Sequence, residues 1–376
     1  MSSDTLYLCE TLAAVYSGHP IFKYYDYTRD RGFLEKVVYP YLKGCVTFLE
    51  GWLDKTDGQY TEQNGRYVLK AGYNEGSWSV NPAIEIAPYK TALDRLIAAA
   101  EELGLDTDKR DRWRALRARM PEQPAAEING KLVYAASEDK TEFKTTVGSN
   151  CVTLDCIMPA ELIGYYSPES ELSIVRNTVD FICALSERIS VEAWFQGNSF
   201  PRIYTVAVRS RYDARTVIKK LAECLNRQMR SNFRLDDGSH GVEKIGATEA
   251  VNNMLLLYDK GVVKIFPNWI EGKKASFANL RTVGGFLFAA RHDGKHVESP
   301  VYVTSECGGK LTAAAPWAEG MRVFLLDENG EKTSEISLTQ GTAPNWKNEI
   351  TYGFETIPKA TYQMECPHAK DGSICK

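Results

Sequence analysis

"GATEAVNNMLLLYDKGVVKIFPNW", residues 246–269, contains the point at which the apolar pattern of the chain changes. Its first half has the spacing of a helix, whereas after Asp259 apolar and polar residues alternate as on a strand. Downstream, "GGFLFAARHDGKHVESPVYVTSE" (284–306) and "MRVFLLDENGEKTSEISL" (321–338) place Asp-Gly and Asn-Gly pairs between alternating residues, which is typical of β-hairpins. The sequence therefore predicts two domains, 1–259 helical and 260–376 a small antiparallel β-sandwich.

The first 259 residues have the pattern of consecutive amphipathic helices. Helical spacing predicts helices over 32–53 and about 82–103, and others that begin near 106, 168 and 215. Pro40 is expected to kink the first, and Gly104 to end the second. An Asn-Gly turn predicts a hairpin inserted at about 122–145. Helices followed by a sheet unit favour an α+β fold, an (α/α)6-toroid-type domain and then a β-sandwich.

Composition excludes several classes of function. The 45 basic and 49 acidic residues give no field that would attract nucleic acid or an anionic membrane. No apolar stretch reaches the roughly 20 residues of a membrane span, and the first residues lack the basic start and cleavage site of a signal peptide. We expect a soluble protein that binds neither nucleic acid nor membrane, with its compartment and oligomeric state open.

Cysteine and histidine usage predicts no metal and no cofactor. The nine cysteines are scattered without paired metal knuckles, so buried thiols are the expectation. The five histidines form no cluster, and phosphate-binding and dinucleotide-binding fingerprints are absent from the sequence.

The loop "AGYNEGSWSVNPAIE", residues 71–85, carries more chemistry than a connector needs. Glycine, serine and lysine suffice for a solvated turn, whereas this loop has two glutamates, two asparagines and a tryptophan. It suggests the wall of a pocket.

Three segments resemble glycoside hydrolase family 95, the α-L-fucosidase and α-L-galactosidase type. They are "YYDYTRDRGFLEKVVYPYLKGCVTFLEGWL" (24–53), the loop at 71–85 and the stretch at 246–269. The resemblance implies a six-hairpin toroid with a small β domain, a glycan substrate and exo-acting hydrolysis. The asparagine-rich helix of that family, "N-I-N-x-x-M-N-Y-W", has no counterpart, so we expect a toroid truncated at its N-terminal side.

In the family the loop at 71–85 bears the general acid, and Glu75 takes that place here. Trp78 could supply the apolar wall that keeps an acid protonated. The alternative is that Glu75 bonds a backbone amide in an ordinary loop. Glu243 is the candidate for the opposite face, although a carboxylate there could equally favour the following helix by its charge. If the carboxyl groups of Glu75 and Glu243 are about 6.5–9.5 Å apart, the distance indicates hydrolysis with inversion of the anomeric configuration. A distance of ~5 Å would indicate retention.

Further residues are candidates for substrate binding, each with a structural alternative. The structural alternatives are that Asn81 caps a helix and that Glu85 interacts favourably with the dipole of that helix. Likewise, Trp194 could belong to a core and Glu249 could face water. The full set is Tyr73, Asn74, Trp78, Asn81, Glu85, Trp194, Asp237, His240 and Glu249.

The function hypothesis is an inverting exo-glycosidase that removes α-L-fucosyl or α-L-galactosyl residues with Glu75 as acid. One rival is a non-catalytic carbohydrate-binding protein or inactive fragment. Another is a different toroid hydrolase or a phosphorylase, which would need phosphate.

Overall fold

The computed structural model describes residues 11, 13–53, 62–73, 77–139, 151–188, 193–195, 202–232 and 247–367. The helices are α1 (Ala13–Thr28), α2 (Arg31–Phe33), α3 (Tyr39–Leu53), α4 (Ala83–Leu103), α5 (Thr107–Arg119), α6 (Glu169–Arg188), α7 (Arg202–Arg209), α8 (Ala214–Gln228) and α9 (Ala247–Leu255). A π-helical turn, Leu34–Val38, joins α2 to α3, and short 3-10 turns span Val152–Leu154 and Ala193–Phe195.

The strands of the helical region form three small antiparallel hairpins: β1 (Glu62–Gln63) with β2 (Arg66–Tyr67), β3 (Lys70–Tyr73) with β4 (Ser77–Val80), and β5 (Ala125–Ile128) with β6 (Lys131–Tyr134). The remaining strands are β7 (Leu256–Asp259), β8 (Val262–Ile265), β9 (Ala275–Thr282), β10 (Phe286–His292), β11 (Val301–Ser305), β12 (Gly309–Ala314), β13 (Arg322–Leu326), β14 (Lys332–Glu335), β15 (Thr339–Ala343), β16 (Trp346–Thr356) and β17 (Ala360–Glu365).

The predicted helix over 32–53 is present but not uniform. The π-helical turn lies directly before Tyr39 and Pro40, where the expected kink falls. Proline has no N–H to donate and its ring crowds the preceding turn, so a wider turn accommodates it without ending the helix. The side chain of Asp30 accepts a hydrogen bond from the Phe33 amide and caps the start.

Helix α4 ends as predicted, at a left-handed Gly104 with φ +72°. Helix α5 begins at Thr107, close to the predicted start, and Asp106 occupies the N-cap position with a left-handed backbone (φ 45°) and no side-chain cap bond. That carboxylate instead accepts from Tyr39, Lys43 and Lys109 and ties α3 to the start of α5.

The hairpin at 125–134 turns at Asn129 and Gly130, both with positive φ (52° and 74°). Two consecutive left-handed residues form the tight turn that the Asn-Gly pair predicts. The predicted insertion is therefore confirmed at its centre; residues 140–145 lie outside the described ranges.

The C-terminal region is the predicted antiparallel β-sandwich. One sheet has the order β14-β13-β17-β11-β10-β9, and the other β15-β16-β12-β8-β7, with a single parallel contact between β8 and β12. Inward side chains of both sheets share one core, which includes Val263, Phe288, Leu311, Phe354 and Tyr362. The fold class of helices followed by a sandwich is confirmed.

Sequential helices pack on one another, as a toroid-type region requires. Contacts join α3 to α4, α4 to α5 and α7 to α9. Helix α9 ends at Leu255 and β7 begins at Leu256, so the change from helix to strand comes four residues before the predicted boundary at 259/260. The division into two domains stays a prediction.

Buried thiols account for most of the described cysteines. Cys45, Cys151, Cys156 and Cys224 are buried, whereas Cys307 is exposed. Cys366 is buried but disulfide-bonded, so the expectation of a buried thiol is wrong at that position.

Candidate functional site

A cavity of about 850 Å³ lies where the helical region meets the β-sandwich. Helices α1, α4, α7 and α9 contribute to its wall, together with residues 158–161, β7 and β9. The polar and charged residues that line it are His19, Lys23, Asp26, Tyr27, Arg29, Arg95, Glu161, Arg209, Glu249, Asn252, Asn253, Tyr258, Arg281 and Thr282. The volume is within the range of small-molecule sites.

Glu161 lies at the centre of the charged network in this cavity. One carboxylate oxygen accepts from Lys23 at 2.5 Å and the other from Arg209 at 2.8 Å, and Arg95 lies 3.7 Å away. Burial by itself would raise the pKa of Glu161, but Lys23 and Arg209 outweigh it and hold that pKa far below its usual value. Glu161 is therefore ionised at neutral pH.

Arg209 of α7 connects two carboxylates. Its Nη1 donates to Glu161 and its Nη2 to Glu249 of α9, both at 2.8 Å. Its Nε donates to Asn253, whose own amide donates back to the Glu249 carbonyl. A planar guanidinium with fixed donors thus sets the positions of three side chains.

Asp26 and Arg95 form a second, two-point ion pair on the wall of the same cavity. A further cavity of about 560 Å³ is also lined by Arg95, Glu161 and Arg209. The ion network is therefore reached from two cavities.

His19 is a neutral group in this charged wall. Burial lowers the pKa of its imidazole to about 4, and the nearby Arg95 adds to that effect. Its buried Nε2 has no hydrogen-bond partner among the described residues. A neutral imidazole can either donate or accept, as a hydroxyl-bearing ligand requires.

The cavity suits a neutral, hydroxyl-rich ligand. Its three carboxylates are in ion pairs with lysine or arginine, and Arg29 and Arg281 pair with Glu102 and Glu306 outside the lining. Ion-paired carboxylates keep spare acceptor positions, and guanidinium and amide groups add fixed donors. Since these charges compensate one another, the described residues of the lining give no net field that would favour an ionic ligand.

Of the residues predicted for substrate binding, Glu249 lines this cavity. Its polar side chain faces Arg209 rather than open water. Glu243, Asp237 and His240 lie outside the described residues, as do Glu75 and Asn74. The backbone of Tyr73 ends β3, and Glu75 follows two residues later in the sequence.

Asn81 does not cap α4, contrary to that prediction. Its backbone is left-handed (φ 50°), and Pro82 occupies the cap position. The buried side chain accepts from the Leu69 amide at 2.8 Å and donates to Glu138. Asn81 therefore holds the β3–β4 hairpin against neighbouring loops.

Glu85 is in the first turn of α4, as predicted, and is fully buried. Its two oxygens accept from the backbone and the hydroxyl of Thr11, at 2.7 and 2.5 Å. In this structure the carboxylate anchors Thr11 to α4.

The two predicted tryptophans have different environments. Trp194 is buried in the helical core against Tyr204, which is the structural alternative for that residue. Trp78 is 49% exposed and its ring is parallel to that of Trp52.

Sequence reasoning missed Lys23, Asp26, Arg95, Glu161 and Arg209. Arg95 and Asp26 are charged residues within apolar helical patterns, which is a signal that could have been used. Glu161 follows an irregular segment and has a left-handed backbone (φ 55°), and the sequence gives no comparable sign of it.

The architecture defines the class of protein, in which a helical, toroid-type region is joined to a β-sandwich. The polar cavity, whose charges are paired, lies between the two. More particularly, residues 1–141 match the model of the glycosyl hydrolase family 95 catalytic domain, and the resemblance to that family is confirmed. "Alpha-L-fucosidase 2" of Arabidopsis thaliana is 32% identical over 92 residues, which are 23% of this chain. The match spans 11% of that relative's length.

Two solved structures are more distantly similar. One is an α-L-rhamnosidase of Streptomyces avermitilis in complex with L-rhamnose, 13% identical, with a TM-score of 0.42 over 92% of this chain and 32% of that one. The other is a putative kojibiose phosphorylase from the human microbiome, 11% identical, with a TM-score of 0.39 over 80% of this chain and 44% of that one. Similarity at this level adds no argument about function.

Within the described ranges, no helix is long and apolar enough to cross a bilayer. Over the same part of the chain, no group of His, Cys, Asp and Glu side chains could hold a metal ion.

Proposed function

We propose that this protein is a glycoside hydrolase that removes terminal α-L-fucosyl or α-L-galactosyl residues from glycans, with inversion and with Glu75 as general acid. The observation that carries the proposal is the match of residues 1–141 to the family 95 catalytic domain. That range contains β3 and β4, and Glu75 lies between these two strands in the sequence.

The charges of the cavity support a binding role for its carboxylates. A general acid must keep its proton near neutral pH, but a carboxylate beside lysine or arginine loses it readily. Lys23 and Arg209 hold the pKa of Glu161 far below its usual value, so Glu161 is unsuited to be that acid. The ion-paired carboxylates of Glu161, Asp26 and Glu249 are suited to accept hydrogen bonds from sugar hydroxyls. The proposed proton donor is Glu75, which is not part of this described network.

In the proposed reaction Glu75 donates its proton to the glycosidic oxygen as the bond to the anomeric carbon breaks. A carboxylate on the opposite face takes a proton from water as the water oxygen bonds to that carbon. Glu243 is the proposed base, with Asp237 and His240 as neighbours. Inversion follows because the water attacks the face opposite the leaving group.

Variants at two glutamates of the matched range test the proposal. Glu75→Gln keeps the shape of the side chain and removes its proton, whereas Glu127→Gln changes an exposed glutamate on β5. On aryl α-L-fucosides and α-L-galactosides we expect Glu75→Gln to lower kcat by about 10²–10⁴-fold. Glu127→Gln should leave it unchanged.

Proton NMR of the first sugar released, before mutarotation, reads the stereochemistry. Equal turnover by the wild type and Glu75→Gln would exclude Glu75 as the acid. A rate that depends on added phosphate would indicate a phosphorylase instead.

The second candidate function is non-catalytic carbohydrate binding. The pairing of the cavity carboxylates with cations favours it, because these groups then bind a sugar without cleaving it. Calorimetric binding of L-fucose or L-galactose without turnover of any aryl glycoside would select this alternative.

A further inference from the structure

The cavity of about 850 Å³ and the cavity of about 560 Å³, called here the first and the second cavity, adjoin one another. The residues that line both are Arg95, Glu161, Arg209 and Tyr258. Strand β7 also contributes to both, and its four residues span only about 10 Å. The two cavities are therefore neighbouring parts of one groove, with the ion network at their junction.

The second cavity resembles the first in its charges. Asp94 accepts from Arg117 at 3.0 Å, and Asp259 accepts from the Tyr166 amide at 2.7 Å. Arg117 and Lys260 in this lining offset the charges of the two carboxylates. A neutral ligand with hydroxyl groups suits these donors and acceptors, as it does in the first cavity.

The groove is larger than one sugar needs. The first cavity alone is in the upper part of the range for drug-sized ligands, which are larger than a monosaccharide. At the junction, one oxygen of Glu161 accepts from Lys23 and the other from Arg209, and each oxygen keeps a further acceptor position. The ionised carboxylate can therefore accept from hydroxyl groups on both sides of the junction.

We propose that the groove binds a neutral oligosaccharide, with the terminal sugar in the first cavity, the next unit in the second, and Glu161 hydrogen-bonded to both. This deepens the proposed function and rests on it for the choice of a carbohydrate as ligand. The terminal unit, which has the most free hydroxyl groups, is assigned to the first cavity because more polar side chains line that cavity.

Each cavity can be narrowed separately, at an exposed residue that lines only that cavity. Ala98 on α4 lines the second cavity and Asn252 on α9 lines the first, so Ala98→Phe and Asn252→Phe place a ring in one cavity each. Ala118→Phe is the matched control, because Ala118 is an exposed alanine of α5 that lines neither cavity. Circular dichroism and thermal unfolding establish that each variant is folded.

Calorimetry on the intact chain measures the Kd of methyl 1-thio-α-L-fucoside and of thio-linked α-L-fucosyl-lactose, because sulfur linkages resist hydrolysis. We expect the wild type to bind the trisaccharide about tenfold more tightly, since the second unit adds about one net hydrogen bond. Ala98→Phe should remove this gain and leave the Kd of the monosaccharide unchanged. Asn252→Phe should weaken binding of both ligands, and Ala118→Phe should bind both like the wild type.

Three results overturn the proposal: no binding of either ligand, equal affinity of the wild type for the two, and an equal effect of Ala98→Phe on both. So does the reverse pattern, in which Asn252→Phe removes only the gain and Ala98→Phe weakens both, because the order of the two units would then be wrong.

The readouts separate this inference from the proposed function. Loss of the trisaccharide gain in Ala98→Phe, in a protein without glycosidase activity, supports the groove and rejects the proposed hydrolase. Glu75-dependent hydrolysis together with an unchanged trisaccharide Kd for Ala98→Phe supports the hydrolase and rejects the groove.

Discussion

Asp26 of α1 and Arg95 of α4 form a two-point ion pair in which both N–O distances, Nη1–Oδ1 and Nη2–Oδ2, are 2.9 Å. Both side chains are mostly buried and have therefore lost hydration. The attraction between the two charges compensates for that loss. The pair links two helices that are distant in sequence and fixes one wall of the large cavity.

Asp26→Asn is expected to lower the free energy of unfolding by about 1–3 kcal/mol, because Arg95 loses its charged acceptor. Urea denaturation measures the change. Asp94→Asn is the matched control on α4, since Asp94 is 52% exposed and pairs with Arg117. That substitution should cost about 0–1 kcal/mol. Equal losses for the two variants would mean that the Asp26–Arg95 pair has no special role.

Arg209→Lys is expected to weaken binding of a monosaccharide in the cavity. Lysine keeps the positive charge but cannot hold Glu161 and Glu249 at once with fixed geometry. The Kd for L-fucose, measured by calorimetry, should rise about tenfold, which is the effect of losing one charge-assisted hydrogen bond.

Arg114→Lys on α5 is the control for that measurement, because Arg114 is exposed and pairs with Asp111 and Glu101. The variant should bind L-fucose like the wild type. An unchanged Kd for Arg209→Lys would show that the network has no part in sugar binding.

The sequence predicted most of the architecture because the relevant signals are local. Helical spacing, the Gly104 stop and the Asn129-Gly130 turn depend on neighbouring residues, and all three are present as expected. Asn81 does not cap α4 because its side chain bonds the Leu69 amide and Glu138, which are contacts that the local pattern does not show.

The cavity could not be predicted from the same signals. Its network joins Lys23, Asp26, Arg95, Glu161 and Arg209, which are far apart in sequence and share no motif. Only packing of α1, α4 and α7 brings them together. The hairpin with Glu75 could be singled out because its unusual residues are contiguous.

His19 is expected to make stability depend on pH. Its pKa is about 4 in the folded protein against 6.5 for an ordinary histidine, so between these values the unfolded chain binds one more proton than the folded chain. Stability therefore falls as the pH drops from 6.5 towards 4. Below about pH 4, protonation of His19 causes no further loss of stability.

His19→Gln should remove part of this dependence. Guanidinium denaturation of wild type and variant at pH 5 and pH 7.5 measures it, and we expect the wild type to lose about 1–2 kcal/mol more than the variant on acidification. His296→Gln provides the comparison, because His296 lies between β10 and β11 and does not line the cavity. An identical pH dependence of wild type and His19→Gln would contradict the neutral, buried imidazole.

Arg211 and Trp346 are expected to couple the helical region to the β-sandwich. The guanidinium of Arg211, in the loop between α7 and α8, lies 3.5 Å from the Trp346 ring centroid and 3.9 Å from that of Tyr165. The indole N–H of Trp346 donates to the Ser167 carbonyl at 3.1 Å. Trp346→Ala removes both contacts and should cost about 2–4 kcal/mol, whereas Trp346→Phe keeps a ring and should cost about 1 kcal/mol.

Hydrogen exchange separates this coupling from a general loss of stability. In Trp346→Ala, exchange should accelerate both in β15–β16 and at residues 165–167, because the contact holds the two segments together. Ile357→Ala, at a residue 58% exposed after β16, should accelerate neither. Faster exchange confined to β15–β16 would mean that Trp346 stabilises its own sheet alone, and that the junction is held by other contacts such as the bond from the Tyr166 amide to Asp259.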